Sequence, residues 1–132
     1  MQIDLSSKIA VITGASGQLG RTMARTLAGC GADIAIHFHE NGEQAELLRR
    51  EIVAMGVRAM TVQADVTEPE SVIAMRDAIV ATLGDPQIVV TNAVIQYAWT
   101  TVLEQAVEDY DSQFRSCVLQ NVLMAKAFVP AI

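Results

Sequence analysis

The chain has 132 residues, of which 52% are hydrophobic and 18% are charged, whereas soluble domains average about 45–50% and about 25%. The length fits one domain, and the hydrophobic content excludes an intrinsically disordered chain. The net charge of −6 argues against electrostatic binding of nucleic acid. The composition indicates one soluble domain with more apolar surface than such a chain can easily bury.

Neither a membrane anchor nor a disulfide is expected. A membrane span needs about 18 consecutive apolar residues, and the apolar stretch around residues 88–91 is much shorter. No basic and then apolar leader opens the chain, which favours a cytoplasmic protein. Cys30 and Cys117 lie far apart without metal-ligand spacing, so we interpret them as reduced thiols.

Apolar runs alternate with helical patterns along the chain. Short runs rich in β-branched residues predict strands at residues 8–13, 33–38, 57–63 and 87–91. Helical spacing predicts helices at 19–30, 43–55, 67–83 and about 107–129, with a short helical piece within 99–105. Strands separated by helices indicate βαβ units, and hence an α/β fold with a doubly wound parallel sheet.

Local signals add detail to this prediction. Asn41 with Gln44 and Thr67 with Glu70 predict capping boxes at the second and third helices. The expected strand order 3-2-1-4 leaves the fourth strand as an exposed apolar edge, so the sheet is expected to be truncated after that strand and the long helix. One stripe of the long helix is predicted to carry Tyr110, Phe114, Cys117, Asn121 and Met124.

The strongest chemical signal is the glycine turn between the first strand and the first helix. Gly14, Gly17 and Gly20 permit a sharp turn and the close approach of a ligand to backbone N–H groups at a helix N-terminus. This pattern is typical of a dinucleotide pyrophosphate site. The alternative is a tight turn that only packs the helix on the strand.

The end of the second strand bears on the choice between NAD and NADP. An acidic residue about 20 positions after the glycines would bind the ribose 2′-hydroxyl, but this place holds His37, Phe38 and His39. The missing carboxylate favours NADP, with His39 or Arg21 as a partner for the 2′-phosphate. The alternative is that His37 and His39 are polar residues at a loop edge with no ligand.

In order and spacing, these motifs resemble the short-chain dehydrogenase/reductase family. The resemblance rests on the glycine turn, on residues 64–67 (ADVT) after the third strand and on residues 90–93 (VTNA) after the fourth. It covers essentially the whole chain, which corresponds to the N-terminal, cofactor-binding half of a typical member. It implies a single Rossmann-type dinucleotide-binding domain over residues 1–132, with NADP or NAD as cofactor.

The resemblance also implies individual cofactor contacts. Asp65 and Val66 would contact the adenine, and Asn92 and Ala93 would line the ribose. The alternatives are a loop carboxylate before a helix for Asp65 and a strand-end turn for Asn92. The backbone would line the phosphates at Ser16, Gln18 and Leu19.

Three positions depart from the family pattern. Gln18 stands where the main branch has its second glycine, which Gly17 carries here. Val94 replaces the glycine that usually follows Asn-Ala. Cys117 stands where most members have an asparagine of the proton relay, and the alternative is that it is a small core residue.

The catalytic pattern of the family is not found. Its members use a serine and a Tyr-x-x-x-Lys pair, but Tyr97 is followed four positions later by Thr101 and Tyr110 by Phe114. We therefore expect the chain to supply the cofactor-binding part of an NAD(P)-dependent oxidoreductase and to be inactive alone. The expected reaction is hydride transfer between the nicotinamide and a carbonyl or alcohol substrate.

Two other functions are compatible with this sequence. One is a non-catalytic nucleotide-binding module or redox sensor. The other is a methyltransferase-type sheet that binds S-adenosylmethionine. Such a sheet would have an acidic residue at the end of the second strand, and residues 37–39 hold none.

Two expectations concern the substrate and the assembly. Tyr97 and Trp99 either line an apolar substrate or pack on the next helix. By the resemblance, the helix at 107–129 faces another subunit, and we expect a homo-oligomer.

Overall fold

Four parallel strands form one sheet in the computed structural model, which describes residues 1–132. The strands are β1 (Ile9–Ile12), β2 (Asp33–Phe38), β3 (Ala59–Gln63) and β4 (Ile88–Val90). They are hydrogen-bonded in the order β3-β2-β1-β4, and each neighbouring pair is parallel. The predicted doubly wound parallel sheet and its strand order are confirmed.

Helices connect these strands and follow the last one. They are α1 (Gln18–Gly29), α2 (Gly42–Ala54), α3 (Pro69–Thr82), α4 (Val107–Phe114) and α5 (Gln120–Phe128). A π-helical turn at Arg115–Leu119 joins α4 to α5, and a 3-10 turn at Val129–Ala131 follows. None of the helices combines the length and the apolar character needed to cross a bilayer.

The short helix expected within residues 99–105 is wrong. The carbonyl of Thr101 accepts hydrogen bonds from the N–H groups of Glu104 and Gln105. This closes one isolated turn, and no helix is formed there.

The two predicted capping boxes do not form either, and neither α2 nor α3 has a side-chain cap hydrogen bond. Gln44 instead accepts a hydrogen bond from the guanidinium of Arg21 at 2.9 Å. The Thr67 hydroxyl donates to the carboxylate of Asp65 at 2.7 Å. Other partners therefore engage Gln44 and Thr67, one side chain of each predicted box.

The sheet is covered on both faces, and alternate residues of β1 belong to different cores. Ile9 and Val11 pack in a cluster with residues of α3 and α5, whereas Ala10 and Ile12 pack with residues of α1 and α2. All four residues of β1 are buried, while β4 at the sheet edge is only half-buried. The carboxyl end of the central strand β1 therefore lies at a fixed point between two packed layers.

The buried face of the last helix differs from the predicted stripe. Of the five residues placed on that stripe, only Met124 is buried. A π turn bonds residue i to residue i+5 and so holds more residues than an α turn, which rotates the following helix face. The buried residues are Ser116, Gln120, Met124, Ala127 and Phe128.

Candidate functional site

The glycine turn follows β1 and leads into α1. At Gly14 the backbone conformation favours glycine, and at Gly20 a side chain would clash with the backbone. Gly14 has a φ of +63°, a left-handed conformation that favours glycine. A Cβ on Gly20 would lie 2.3 Å from the carbonyl oxygen of Gly14 and 2.7 Å from Cα of Ala15. Gly17 has a φ of −76°, and a Cβ there would meet only the Gly14 oxygen at 3.4 Å.

The same turn presents unpaired backbone donors. The N–H groups of Ser16, Gln18 and Leu19 make no hydrogen bond within the protein. They belong to the turn and the first turn of α1, where the helix dipole favours negative charge. The close packing of Gly20 keeps this end of the helix against the end of β1. The donor set therefore fits a phosphate-containing ligand such as a dinucleotide.

His37 lies directly behind this turn and is buried within β2, not exposed at a loop edge. Its Nδ1 accepts a hydrogen bond from the N–H of Gly14 at 2.9 Å, and its Nε2 lies 2.8 Å from the carbonyl oxygen of Ala64. An acceptor at Nδ1 and a carbonyl at Nε2 define the neutral ring with its proton on Nε2. Burial lowers the pKa of His37 below its ordinary value, which keeps the ring neutral.

Two other basic side chains, His39 and Arg21, lie near this end of the sheet. His39 is exposed just beyond β2, and its carbonyl accepts a hydrogen bond from the side chain of Gln63 at 2.9 Å. Arg21 extends from α1 to Gln44 on α2, and its Nε is buried without a partner.

Asp65 and Val66 follow β3 at the same edge of the sheet. One carboxylate oxygen of Asp65 accepts from the N–H and the hydroxyl of Thr67, at 2.9 and 2.7 Å. Partial burial opposes ionisation, but the two hydrogen bonds outweigh it, and the pKa of Asp65 is lowered. Val66 is buried. Asp65 is therefore held as a carboxylate beside the end of β3.

Asn92 and Ala93 follow β4 and are tied to the end of β1. The side-chain amide of Asn92 donates to the carbonyls of Thr13 and Gly14 at 3.1 and 3.3 Å. The Thr13 hydroxyl accepts from the N–H groups of Asn92 and Ala93 at 2.9 and 3.0 Å. The segment after β4 and the glycine turn therefore form one hydrogen-bonded unit.

Sequence reasoning missed a second layer of this unit, which is built on Gln120. The Gln120 side chain accepts from Thr13 and donates to the carbonyls of Ala93 and Ser116 at 2.8 and 2.6 Å. Gln120 and Ser116 are polar, lie four positions apart and are both buried. A polar pair at that spacing beside the apolar residues of a helix was the available signal.

Comparison with known proteins decides the family. Residues 8–132 match the family described as short chain dehydrogenase. The chain belongs to this family. A chloroplastic NADPH-dependent aldehyde reductase-like protein of Arabidopsis thaliana is 32% identical over 123 residues, with 85% of this chain and 46% of that protein covered.

Solved structures of related proteins have the same fold. A blue fluorescent protein from a metagenomic library, in complex with NADPH, matches with a TM-score of 0.89 and 30% identity over 98% of this chain and 53% of its own. L-Sorbose reductase from Gluconobacter frateurii, complexed with NADPH and L-sorbose, matches with a TM-score of 0.88 and 30% identity over 98% and 49%. This short chain dehydrogenase sequence spans about half the length of the relatives it matches.

The positions at which this chain departs from the family pattern have defined surroundings. Gln18 is exposed at the start of α1, and Val94 is exposed after Ala93. Cys117 lies within the π turn, is partly buried, and its thiol donates to the side-chain oxygen of Gln113 at 3.3 Å. The only lysines are Lys8 and Lys126, so these 132 residues contain no Tyr-x-x-x-Lys pair.

Proposed function

We propose that residues 1–132 form the dinucleotide-binding domain of an NAD(P)-dependent oxidoreductase. The observation that carries this proposal is the set of unpaired N–H groups of Ser16, Gln18 and Leu19 beside two sterically required glycines. Together they offer donors and space for a pyrophosphate. The proposed cofactor contacts come from Gly14, Ser16, Gly17, Gln18, Leu19, Gly20, His39, Asp65, Val66, Asn92 and Ala93.

Each group of contacts would perform a separate task. The turn would bind the phosphates, and the carboxylate of Asp65 would accept hydrogen bonds from the adenine. Asn92 and Ala93, fixed by Thr13, would position the ribose next to the nicotinamide. The bound nicotinamide supplies the hydride chemistry. His37 would act through the turn, because both of its ring nitrogens already bond within the protein.

NADP(H) is the proposed cofactor. Residues 37–39 carry no carboxylate that would bind a ribose 2′-hydroxyl or repel a 2′-phosphate. His39 is exposed at this position, and Arg21 lies on α1 with an unpartnered Nε. The two related structures described above were solved with NADPH, which supports the same choice.

The proposed reaction is hydride transfer between the nicotinamide and a carbonyl or alcohol substrate. A cavity of about 390 Å³ lies between residues 96–102 and α4, and its lining includes Tyr97, Trp99 and Tyr110. We place the substrate side of the site at this aromatic segment. The chain is proposed to be inactive alone, because it holds no tyrosine and lysine pair to transfer the proton.

We also propose that the chain forms a homo-oligomer and that it is located in the cytoplasm. Phe114, Val118 and Val122 follow one another at intervals of four residues and are all exposed. An exposed apolar stripe of this kind is typical of an interface between subunits. Both cysteines are free thiols, which is compatible with a reducing compartment.

Titration of the purified chain with NADPH, NADH and S-adenosylmethionine, followed by fluorescence, tests the cofactor. We expect NADPH to bind more tightly than NADH and S-adenosylmethionine not to bind. A chain that binds none of the three would contradict the proposed function. Carbonyl reduction assays on the same preparation should detect no turnover, because the chain holds no Tyr-x-x-x-Lys pair, and turnover would contradict the proposed inactivity.

A further inference from the structure

His37 connects two parts of the proposed site that are far apart in the chain. One ring nitrogen receives the N–H of Gly14, the first glycine of the turn, and the other bonds the carbonyl of Ala64, the residue before Asp65. The ring is 1% exposed. A single side chain therefore sets the position of the phosphate turn relative to the end of β3.

This connection requires one protonation state of the ring. Nδ1 has to accept from Gly14, so it cannot carry a proton, and Nε2 has to carry one in order to donate to Ala64. A second proton on Nδ1 would face the N–H of Gly14, donor against donor. The bond to the turn would be lost, and a charge would be left in a buried place.

Few charged groups surround the ring. The groups that interact with it electrostatically are His39, beyond the end of β2, and Asp65, after β3, and their effects on the ring are opposite in sign. The glycine turn and the first residues of α1 carry no charged side chain before Arg21. No carboxylate bonds directly to the ring, so the imidazolium has no ion-pair partner in this arrangement.

We propose that His37 is a positioning residue that holds the glycine turn in its binding conformation only while its ring is neutral, so that acidification weakens dinucleotide binding. This inference rests on the proposed cofactor site for its effect on affinity. Its structural part, the coupling of the ring to Gly14, stands independently of any ligand. The two parts can therefore be tested separately.

Nuclear magnetic resonance of the full chain tests the coupling. Long-range proton–nitrogen spectra at about pH 7.5 should identify His37 as the Nε2–H tautomer and distinguish it from exposed His39. On acidification, the amide resonance of Gly14 should move with the same midpoint as the ring of His37. A ring protonated on Nδ1, or a Gly14 amide that does not respond, would overturn the coupling.

Calorimetric titration with NADP⁺ between about pH 7.5 and pH 5.5 tests the effect on affinity, in a range where only histidine side chains ordinarily titrate. Two matched pairs are compared, the wild type with His37→Asn and His39→Gln with the double variant His37→Asn/His39→Gln. The second pair is needed because His39 is itself a proposed contact of the 2′-phosphate and its own protonation would change NADP⁺ affinity. The amide oxygen introduced by His37→Asn can accept from Gly14 without titrating. All proteins share the titration of the cofactor's own 2′-phosphate, so the comparison within each pair isolates the ring of His37.

Within each pair, the protein that retains His37 should lose affinity more steeply than its His37→Asn counterpart, by up to about tenfold per pH unit below the ring's midpoint. Equal slopes within both pairs would overturn the inference while leaving the proposed cofactor intact. Absence of NADP⁺ binding at every pH would contradict the proposed function and the affinity effect together, and the Gly14 resonance would still decide the coupling.

Discussion

Thr13 and Gln120 form a buried hydrogen bond of 2.5 Å between the threonine hydroxyl and the glutamine side-chain oxygen, across 107 positions of the chain. Because the hydroxyl donates to Gln120, its lone pairs can accept from the N–H groups of Asn92 and Ala93. The amide nitrogen of Gln120 then donates to the carbonyl of Ala93. This pair therefore fixes the segment after β4 against the end of β1.

Replacing Gln120 with leucine should destabilise the chain by about 2–3 kcal/mol. Leucine is similar in volume, but it leaves the buried Thr13 hydroxyl and the carbonyls of Ala93 and Ser116 without their partner. Urea denaturation followed by circular dichroism measures the change. The free energy of unfolding should fall without a loss of secondary structure.

The neighbouring Asn121→Leu is the matched control for this prediction. Asn121 is exposed, and its side chain bonds only to the carbonyl of Cys117, one turn back along the chain. We expect a change within about 0.5 kcal/mol. Equal losses in the two variants would contradict the role given to Gln120.

The contrast between the glycine turn and these buried amides marks what the sequence can predict. Gly14 and Gly20 are recognisable because a turn between a strand and a helix imposes local conformational demands, and the strands because their apolar runs are local too. The bond of His37 to Gly14 spans 23 positions and that of Gln120 to Thr13 spans 107, so a local pattern cannot identify these partners. The π turn likewise changes which face of the last helix is buried.

The glycines of the turn should differ in their tolerance of alanine. Gly20→Ala would place a methyl group 2.3 Å from a backbone oxygen, so we expect a loss of about 3 kcal/mol or more. Gly17→Ala should stay within about 1 kcal/mol of the wild type, because the site has an ordinary φ and a Cβ would make a single contact, at 3.4 Å. Thermal denaturation measures both, and a tolerant Gly20 would contradict the described packing.

A carboxylate at position 39 should change the cofactor preference. His39→Asp would place a negative charge where the 2′-phosphate is proposed to lie, and NADPH binding should weaken by about tenfold or more through repulsion. NADH binding should change little, because NADH lacks that phosphate. Fluorescence titration gives both dissociation constants, with the neutral His39→Asn as the control for size. Equal weakening of NADPH and NADH would place the phosphate elsewhere.

A charge on the exposed stripe of the last helix should reduce self-association. Val118→Asp introduces a carboxylate at the centre of the stripe, whereas Val53→Asp makes the same change at a valine of similar exposure on α2, 44% against 46%. Light scattering after size-exclusion chromatography should give a mass above 14.2 kDa for the wild type and Val53→Asp, and a lower mass for Val118→Asp. A monomeric wild type would contradict the proposed interface.

Folding stability should fall as the pH drops below the ordinary histidine pKa of 6.5, because burial lowers the pKa of His37 in the folded chain. Between the two pKa values the unfolded chain binds more protons than the folded chain, so stability rises with pH and is lost on acidification. One proton limits the slope to about 1.4 kcal/mol per pH unit. Urea denaturation between about pH 7.5 and pH 5.5 should give the wild-type slope for His39→Gln and a flatter one for His37→Asn, which lacks the buried ring. An unchanged slope in His37→Asn would assign the pH dependence to another group.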